Sequence, residues 1–229
     1  MATYGAVYIA TGEMYNRWAL HSIASLRKLS DIPITIFTDA ILPLAGSMKI
    51  TQRPIEQDDN WGLTKLRALR ASPYDQTVFF DSDTEILSRP EDVMWFNFDI
   101  AAAKDMSVDY DKKLFLGYNP GHLNTGVIFY RMNDRVINVL DEAIDRYNEI
   151  GEQEGWTSDQ SVLNHLIFNR DINVQKLSPE WNVRSSNFKL VARPKVIHMH
   201  HLPDLPRDKL EAEWEKWEDV SEQANANKN

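Results

Sequence analysis

The chain predicts an α/β protein built on a doubly wound, mostly parallel central sheet flanked by helices. Three observations carry that expectation. Apolar runs of strand length alternate with helix-period segments through the first hundred residues. At 229 residues the chain is long enough for one full hydrophobic core. No apolar run approaches the ~18 residues that a membrane span requires.

The elements follow in order. AVYIA (Ala6–Ala10) is a compact apolar run that breaks at Thr11-Gly12, a first strand ending in a loop. MYNRWALHSIASLRKL places Trp18, Ala19, Ile23, Leu26 and Leu29 at helical spacing. IPITIFTD is a second strand whose Pro33 sits near its start, where the missing donor is tolerated. MKITQRP reads as a short third strand. WGLTKLRALRA, with Leu63, Leu66 and Leu69 three apart, reads as a helix that stops before Pro73. QTVFFDSD is the next strand, DIAAAKD another, and Met106–His122 a loop carrying aromatic residues and glycines. NTGVIFYR is a strand. NDRVINVLDEAIDRYNEI is an amphipathic helix capped by Asn133 or Asp134, and a further helix starts at TSDQSVLNHLIF with Thr157 or Ser158 as cap. The expected organisation is one domain over residues 1–203, followed over 204–229 by an amphipathic helix with Leu210, Trp214 and Trp217 on one face and a frayed tail.

Composition narrows the function. A net charge of −9 argues against nucleic-acid and anionic-lipid partners, which need clustered Lys and Arg. With no cysteine there are no disulfides and no thiolate ligands, so a bound metal takes oxygen and imidazole donors. The N-terminus lacks a signal-peptide pattern, and the compartment is read as cytoplasmic. There is no G-x-G-x-x-G after the first strand and no G-x-x-x-x-G-K-[ST]. A phosphorylated ligand on so acidic a chain calls for a bound cation between its phosphates and nearby carboxylates.

VFFDSDTEIL supplies candidates for holding that cation. Asp81, Asp83 and Glu85 directly follow a buried-looking strand, and like charges so placed repel unless they are solvated or a cation lies among them. In a doubly wound sheet ligands bind beyond the carboxyl ends of strands, where Asp81 and Asp83 fall. Asp-x-Asp can chelate Mn²⁺ or Mg²⁺ through hard oxygens, and Mn²⁺ also accepts imidazole. Read alone, the tripeptide is equally a solvated turn. VIHMHH adds an apolar run ending in His198, with His200 and His201 beyond; His200 alternates to the same strand face as His198 and competes with it as a third ligand.

The ordered set ATGEMYNRWALHSIASL, TKLRALRASPYDQTVFFDSDTEIL, LNTGVIFYR, SDQSVLN, LSPEWNVR and KVIHMH, running from about residue 6 to 200, resembles the glycogenin-type family of retaining glycosyltransferases, related to the lipopolysaccharide galactosyltransferases. The resemblance implies the GT-A nucleotide-diphospho-sugar fold and a metal-dependent transfer of a hexose or related sugar from a UDP-sugar to a hydroxyl of a glycan or other acceptor. It implies Asp81, Asp83 and His198 as ligands of Mn²⁺, with Mg²⁺ an alternative. Thr11, Tyr15, Lys65 and Ser82 would border the nucleotide diphosphate: Tyr15 as a stacking platform for uracil, Lys65 as a fixed positive charge. Asp105, Asn124, Asp159 and Gln160 would surround the transferred sugar, where polar groups discriminate sugars by pairing hydroxyls. No side chain stands out as a covalent nucleophile. The family's reaction has C1–O cleavage through an oxocarbenium-like state and attack by the acceptor on the same face.

The segment after His198 departs from the family, because HMHHLPDLPRDK lacks the Gly-x-x-Lys that follows its histidine; Arg207 and Lys209 are the nearby cations. Two other readings stand beside the transferase. One is a nucleotide-sugar or glycan-binding module of the same fold without turnover. The other is a haloacid-dehalogenase-like phosphatase, which also uses Asp-x-Asp after a strand but looks for Thr or Val where this chain has Glu85.

Overall fold

The computed structural model of the chain describes residues 3–44, 49–55, 60–105, 122–150, 158–184 and 191–199. Residues 106–121 of the expected loop, Thr157, His200, His201, Arg207, Lys209 and the expected C-terminal helix with Leu210, Trp214 and Trp217 lie outside the described residues.

The elements are β1 (Tyr4–Ala10), α1 (Glu13–Arg27), β2 (Ile34–Thr38), β3 (Ile50–Pro54), α2 (Trp61–Arg70), β4 (Gln76–Asp81), β5 (Thr84–Ile86), α3 (Glu91–Met94), β6 (Ile100–Lys104), β7 (Leu123–Arg131), α4 (Asp134–Ile150), α5 (Asp159–Asn169), β8 (Val174–Leu177), β9 (Val183–Arg184) and β10 (Val196–His198). Seven strands form the central sheet in the order β3-β2-β1-β4-β7-β6-β8, and β5-β10-β9 form a small second sheet. β1 is parallel to β2 and β4, β2 to β3, and β6 to β8. β7 runs against both of its neighbours. The expected mostly parallel sheet with flanking helices is the one observed; the short strands β5, β8 and β9 are additions to the sequence reading.

Strand alternation sorts the core into two layers. Val7, Ile9, Phe79 and Ile128 point to the side covered by α2, α4 and α5, where Leu63, Leu66, Leu69, Val139, Leu140 and Leu166 meet them. Tyr8, Val78, Phe80, Val127 and Phe129 point to the other side, against Ile23 and Leu26 of α1 and against Trp181. Each fully buried aromatic or branched side chain contributes roughly 1.5–3 kcal/mol of transfer free energy. That the parallel strands read as continuous apolar runs follows from burial on both faces.

Caps fix where the helices begin. The Asn60 side chain accepts from the Gly62 amide at 3.0 Å at the head of α2, and Asn133 accepts from the Val136 amide at 3.0 Å at the head of α4. Gly62 has a second reason: a Cβ there would lie 2.6 Å from the Tyr147 hydroxyl, so its absence lets α2 and α4 approach.

Buried Asp99 ties three elements together. One oxygen accepts from Asn133 Nδ2 at 2.7 Å and Arg135 Nη2 at 2.9 Å, and the other from the Asn173 amide at 2.9 Å. Burial opposes its ionisation, but the Asn173, Asn133 and Arg135 donors outweigh that and hold the carboxyl below its usual range. The stability it contributes is present above the unfolded-state value of about 3.9 and is lost as pH falls through the lower folded-state value. Asp99→Asn is therefore expected to cost about 1–3 kcal/mol at neutral pH, and its urea midpoint is expected to fall less than the wild type's between neutral pH and the acid limit.

Candidate active site at the carboxyl edge of the sheet

β4 ends at Asp81, and a turn of Ser82 and Asp83 leads into β5. The turn is pinned from both sides. The Thr84 hydroxyl donates to the Asp81 carbonyl at 2.8 Å, and the Met199 amide donates to the Asp83 carbonyl at 2.8 Å. β10 pairs antiparallel with β5, placing His198 opposite Thr84. His198 Nε2 consequently lies 3.3 Å from an Asp83 oxygen and 3.6 Å from an Asp81 oxygen. One donor atom from each of Asp81, Asp83 and His198 falls within 4.8 Å of the others.

Glu85 takes no part in this group. It is buried on β5, with His21 Nε2 at 3.8 Å from its carboxylate. Solvation is not how the acidic run is accommodated, since Asp83 and Glu85 are both buried.

Because β7 is antiparallel to β4, its amino end meets the carboxyl end of β4. The register pairs Phe80 with Val127, and Asn124, Thr125 and Gly126 come up beside Asp81. A Cβ on Gly126 would stand 2.3 Å from His198 Cε1, 2.5 Å from its Nδ1 and 3.0 Å from an Asp81 oxygen. The glycine of the Asn-Thr-Gly run is therefore space for the imidazole.

Lys65 enters from α2 and is almost wholly buried, its Nζ 4.9 Å from the Phe79 ring centroid. It bridges two aspartates, 2.9 Å from Asp81 and 3.2 Å from Asp159. Burial by itself would lower its pKa; Asp159 and Asp81 outweigh that and hold the ammonium above the ordinary lysine value. Burial raises the Asp81 carboxyl against the pull of Lys65 and His198, and the neighbouring Asp83 and Asp159 raise it further. At His198 burial lowers the pKa, but Asp83 and then Asp81 outweigh it and the net direction is up.

Asp159 and Gln160 open α5, their side of the site set by β7. Thr125 Oγ1 donates to Asp159 at 2.7 Å, and the Thr125 amide donates to Gln160 Oε1 at 3.1 Å. Gln160 Nε2 in turn donates to Asp105 at 2.7 Å, and Arg184 Nη2 is 3.5 Å from the same Asp105 oxygen. Asn164, one turn into α5, brackets Leu123 by accepting from its amide and donating to its carbonyl. Asp105, Asn124, Asp159 and Gln160, which the sequence singled out, are thus brought together with Lys65, Asp81, Asp83 and His198. Ser158 occupies the cap position of α5 without a side-chain capping bond.

The nucleotide-side candidates are more spread. Buried Thr11 directly follows β1, and its hydroxyl has no hydrogen-bond partner among the described residues. Ser82 is buried in the β4–β5 turn. Tyr15 is stacked on Trp61, ring centroids 5.5 Å apart at 17°. Sequence reasoning passed over Trp61, Thr125, Asn182, Arg184 and Asp39, which accepts from the Gly12 amide at 2.8 Å and Asn16 Nδ2 at 3.0 Å. The Trp-Asn-x-Arg of the LSPEWNVR segment was the available signal for Asn182 and Arg184.

The donor set fits a divalent cation on two grounds. Two carboxylates and one imidazole suit Mn²⁺, and Mg²⁺ is served by the carboxylates. Among the described residues, the ion pairs at Asp81, Asp83, Asp105 and Asp159 bring in Lys65 and Arg184 beside His198, so the carboxylates outnumber these permanent cations.

No family model matches the chain, and no curated protein matches it in sequence. Its fold is nevertheless found in solved structures. The galactosyltransferase LgtC, in complex with donor and acceptor sugar analogues, matches with a TM-score of 0.66 at 14% identity, over 85% of this chain and 86% of that one. The bifunctional glycosyltransferase WbbM matches at 0.61 and 18% identity, over 87% of this chain and 46% of that one. The glycosyltransferase GlyE of Streptococcus pneumoniae TIGR4 matches at 0.61 and 16% identity, over 86% and 55%. The architecture is that of GT-A-like glycosyltransferases, as the sequence resemblance implied. Among the described residues no helix is long and apolar enough to cross a membrane.

Gly126→Ala is expected to push the His198 ring out of line with Asp81 and Asp83 while leaving the sheet intact. Titration of Mn²⁺ by calorimetry should show an affinity loss of about 10-fold or more, with an unchanged far-ultraviolet circular dichroism spectrum.

Proposed function

We propose that the protein transfers a hexose or related sugar from a UDP-sugar to an acceptor hydroxyl, with Mn²⁺ or Mg²⁺ held by Asp81, Asp83 and His198. The observation that supports this reading is the group Asp81, Asp83 and His198, able to hold a cation, set beside the hydrogen-bonded side chains of Asp105, Thr125, Asp159 and Gln160 at one sheet edge of a glycosyltransferase fold. That LgtC was solved with donor and acceptor sugar analogues supports it.

When bound, the cation supplies Lewis-acid charge neutralisation for a diphosphate and for the negative charge growing on departing UDP. The side chains divide the remaining work. Lys65 holds a positive charge at fixed position between Asp81 and Asp159, and a charge already oriented needs no reorganisation as the transition state forms. Gln160 is held through Thr125 and Asp105, so its amide presents a set orientation to sugar hydroxyls. Asp105, Asn124 and Asp159 join it, and a substrate lacking a matching hydroxyl would leave one of these groups unpaired. The Thr11 hydroxyl, without a partner among the described residues, offers a hydrogen bond to the nucleotide. The Tyr15–Trp61 stack offers an aromatic face for uracil, and Ser82 lies on the turn beside the cation ligands.

For the chemistry we follow the family's retaining course. The C1–O bond breaks through an oxocarbenium-like state, the acceptor hydroxyl adds to the same face, and its proton passes to the leaving phosphate.

A panel of UDP-glucose, UDP-galactose, UDP-xylose and UDP-N-acetylglucosamine tests the reading. With Mn²⁺ at least one should release UDP, and chelation should stop it. Asp83→Ala should lower the rate by roughly 100-fold or more, the scale on which the loss of one transition-state charge stabiliser is felt. Binding without release would assign the chain to the non-catalytic module instead. Product anomers read by NMR should match the donor; an inverted linkage removes the retaining course. Independently of turnover, Mn²⁺ at a hundred times its Kd should stabilise the fold by about 2.7 kcal/mol, and Asp83→Ala should abolish that shift.

A further inference from the structure

The identity of the His198 nitrogen facing the two aspartates is decided elsewhere in the structure. The Gly126 amide donates to Asn124 Oδ1 at 2.9 Å. A main-chain N–H cannot exchange its role, so the Asn124 atom facing it must be oxygen. The same oxygen lies 2.8 Å from the Asn182 side chain, which must therefore present its amide nitrogen. The other end of the Asn182 amide is then its oxygen, 3.1 Å from His198 Nδ1. An oxygen there requires Nδ1 to carry a proton. In the neutral ring Nε2 then bears the lone pair, and Nε2 is the nitrogen beside Asp83 and Asp81.

We infer that Asn182 is a positioning residue that fixes the proton of His198 on Nδ1 and so presents Nε2 as a donor to a cation. The inference goes beyond the proposed cation site and rests on it. With the amide of Asn182 turned over, its oxygen would oppose Asn124 Oδ1, and its nitrogen would drive the ring proton to Nε2. Nε2–H would then bond to Asp83 and close the site to metal. Ligating histidines owe their orientation and basicity to the partner of the far nitrogen, and here that partner is an amide whose own orientation traces back to a backbone donor.

The fold holds Asn182 where this requires. Trp181 is buried edge-on against Phe129, ring centroids 5.4 Å apart at 87°, and the Asn182 main-chain N–H donates to the Pro179 carbonyl at 3.0 Å. β9, which begins one residue later, pairs in parallel with β10, matching Val183 with Ile197 and Arg184 with His198. Arg184, two residues on, reaches Asp105. One short segment thereby braces a cation ligand and a sugar-side carboxylate together.

Two variants and one spectrum test it. In Asn182→Leu, which keeps the bulk and removes both hydrogen bonds, Mn²⁺ affinity by calorimetry should fall about 10–100-fold. In Asn182→Asp, which still accepts from Nδ1–H but sets its second oxygen against Asn124 Oδ1, the neutral His198 ring should keep its proton on Nδ1. In metal-free wild type at alkaline pH, ¹⁵N–¹H correlations should place the neutral His198 proton on Nδ1; in Asn182→Leu that preference should be lost. A wild-type ring protonated on Nε2, or Asn182→Leu binding Mn²⁺ as tightly as wild type, overturns the inference. Failure of wild type to bind Mn²⁺ at all would defeat the proposed cation site, while the ring proton in the spectrum still decides the role of Asn182. Should Asn182→Leu not fold, the wild-type spectrum and Asn182→Asp carry the decision.

Discussion

Repulsion among carboxylates is the constraint around which this fold is arranged. Asp81, Asp83 and Asp159 converge at one edge of the central sheet, and like charges about 4 Å apart at an effective dielectric near 20 repel by about 4 kcal/mol. The chain answers with interposed positive charge. Lys65 spans Asp81 and Asp159, and His198 faces Asp81 and Asp83. A buried lysine is itself costly to desolvate, and Asp159 and Asp81 together outweigh that cost. The Asp81 carboxyl remains raised even so, first by its burial and then by Asp83 and Asp159, against the pull of Lys65 and His198. Neutralising this edge is the role proposed above for a divalent cation on Asp81, Asp83 and His198.

Much of the surrounding architecture serves to keep those charges in place. The Asn60 cap and the missing side chain at Gly62 let α2 sit close enough to bury Lys65 over Phe79. The reversal of β7 brings Thr125 to Asp159 and Gln160, and leaves at Gly126 the room that His198 fills. The small β5-β10-β9 sheet locks His198 against the turn that bears Asp83. Few of these contacts are local in sequence, so the site exists only when the whole sheet has closed.

Identities of 14–18% to solved glycosyltransferases coexist with coverage of 85% or more of this chain. The physical basis is that a core tolerates extensive exchange of apolar residues so long as volume and patterning persist. The alternation that sends Phe79 to one layer and Phe80 to the other is such a pattern.

The sequence by itself determined the elements and the chemistry on offer. Periodicity is a local property, so β1, α1, β2, α2 and β4 were legible, as were Asp81-x-Asp83 and His198 as residue types able to hold a hard cation. Only tertiary structure decided which charges meet. Glu85 looked like a third member of the acidic run, yet a turn and a change of strand direct it to His21. Tyr15, proposed as a platform for uracil, is joined by Trp61 from the head of α2. Asn182, whose segment LSPEWNVR shows its residue types but not its partner, became the neighbour of His198 through strand pairing and the packing of Trp181. Composition and spacing record what a side chain is able to do, whereas the electrostatic and hydrogen-bonding partners that set its pKa and its tautomer come from segments far apart in the chain.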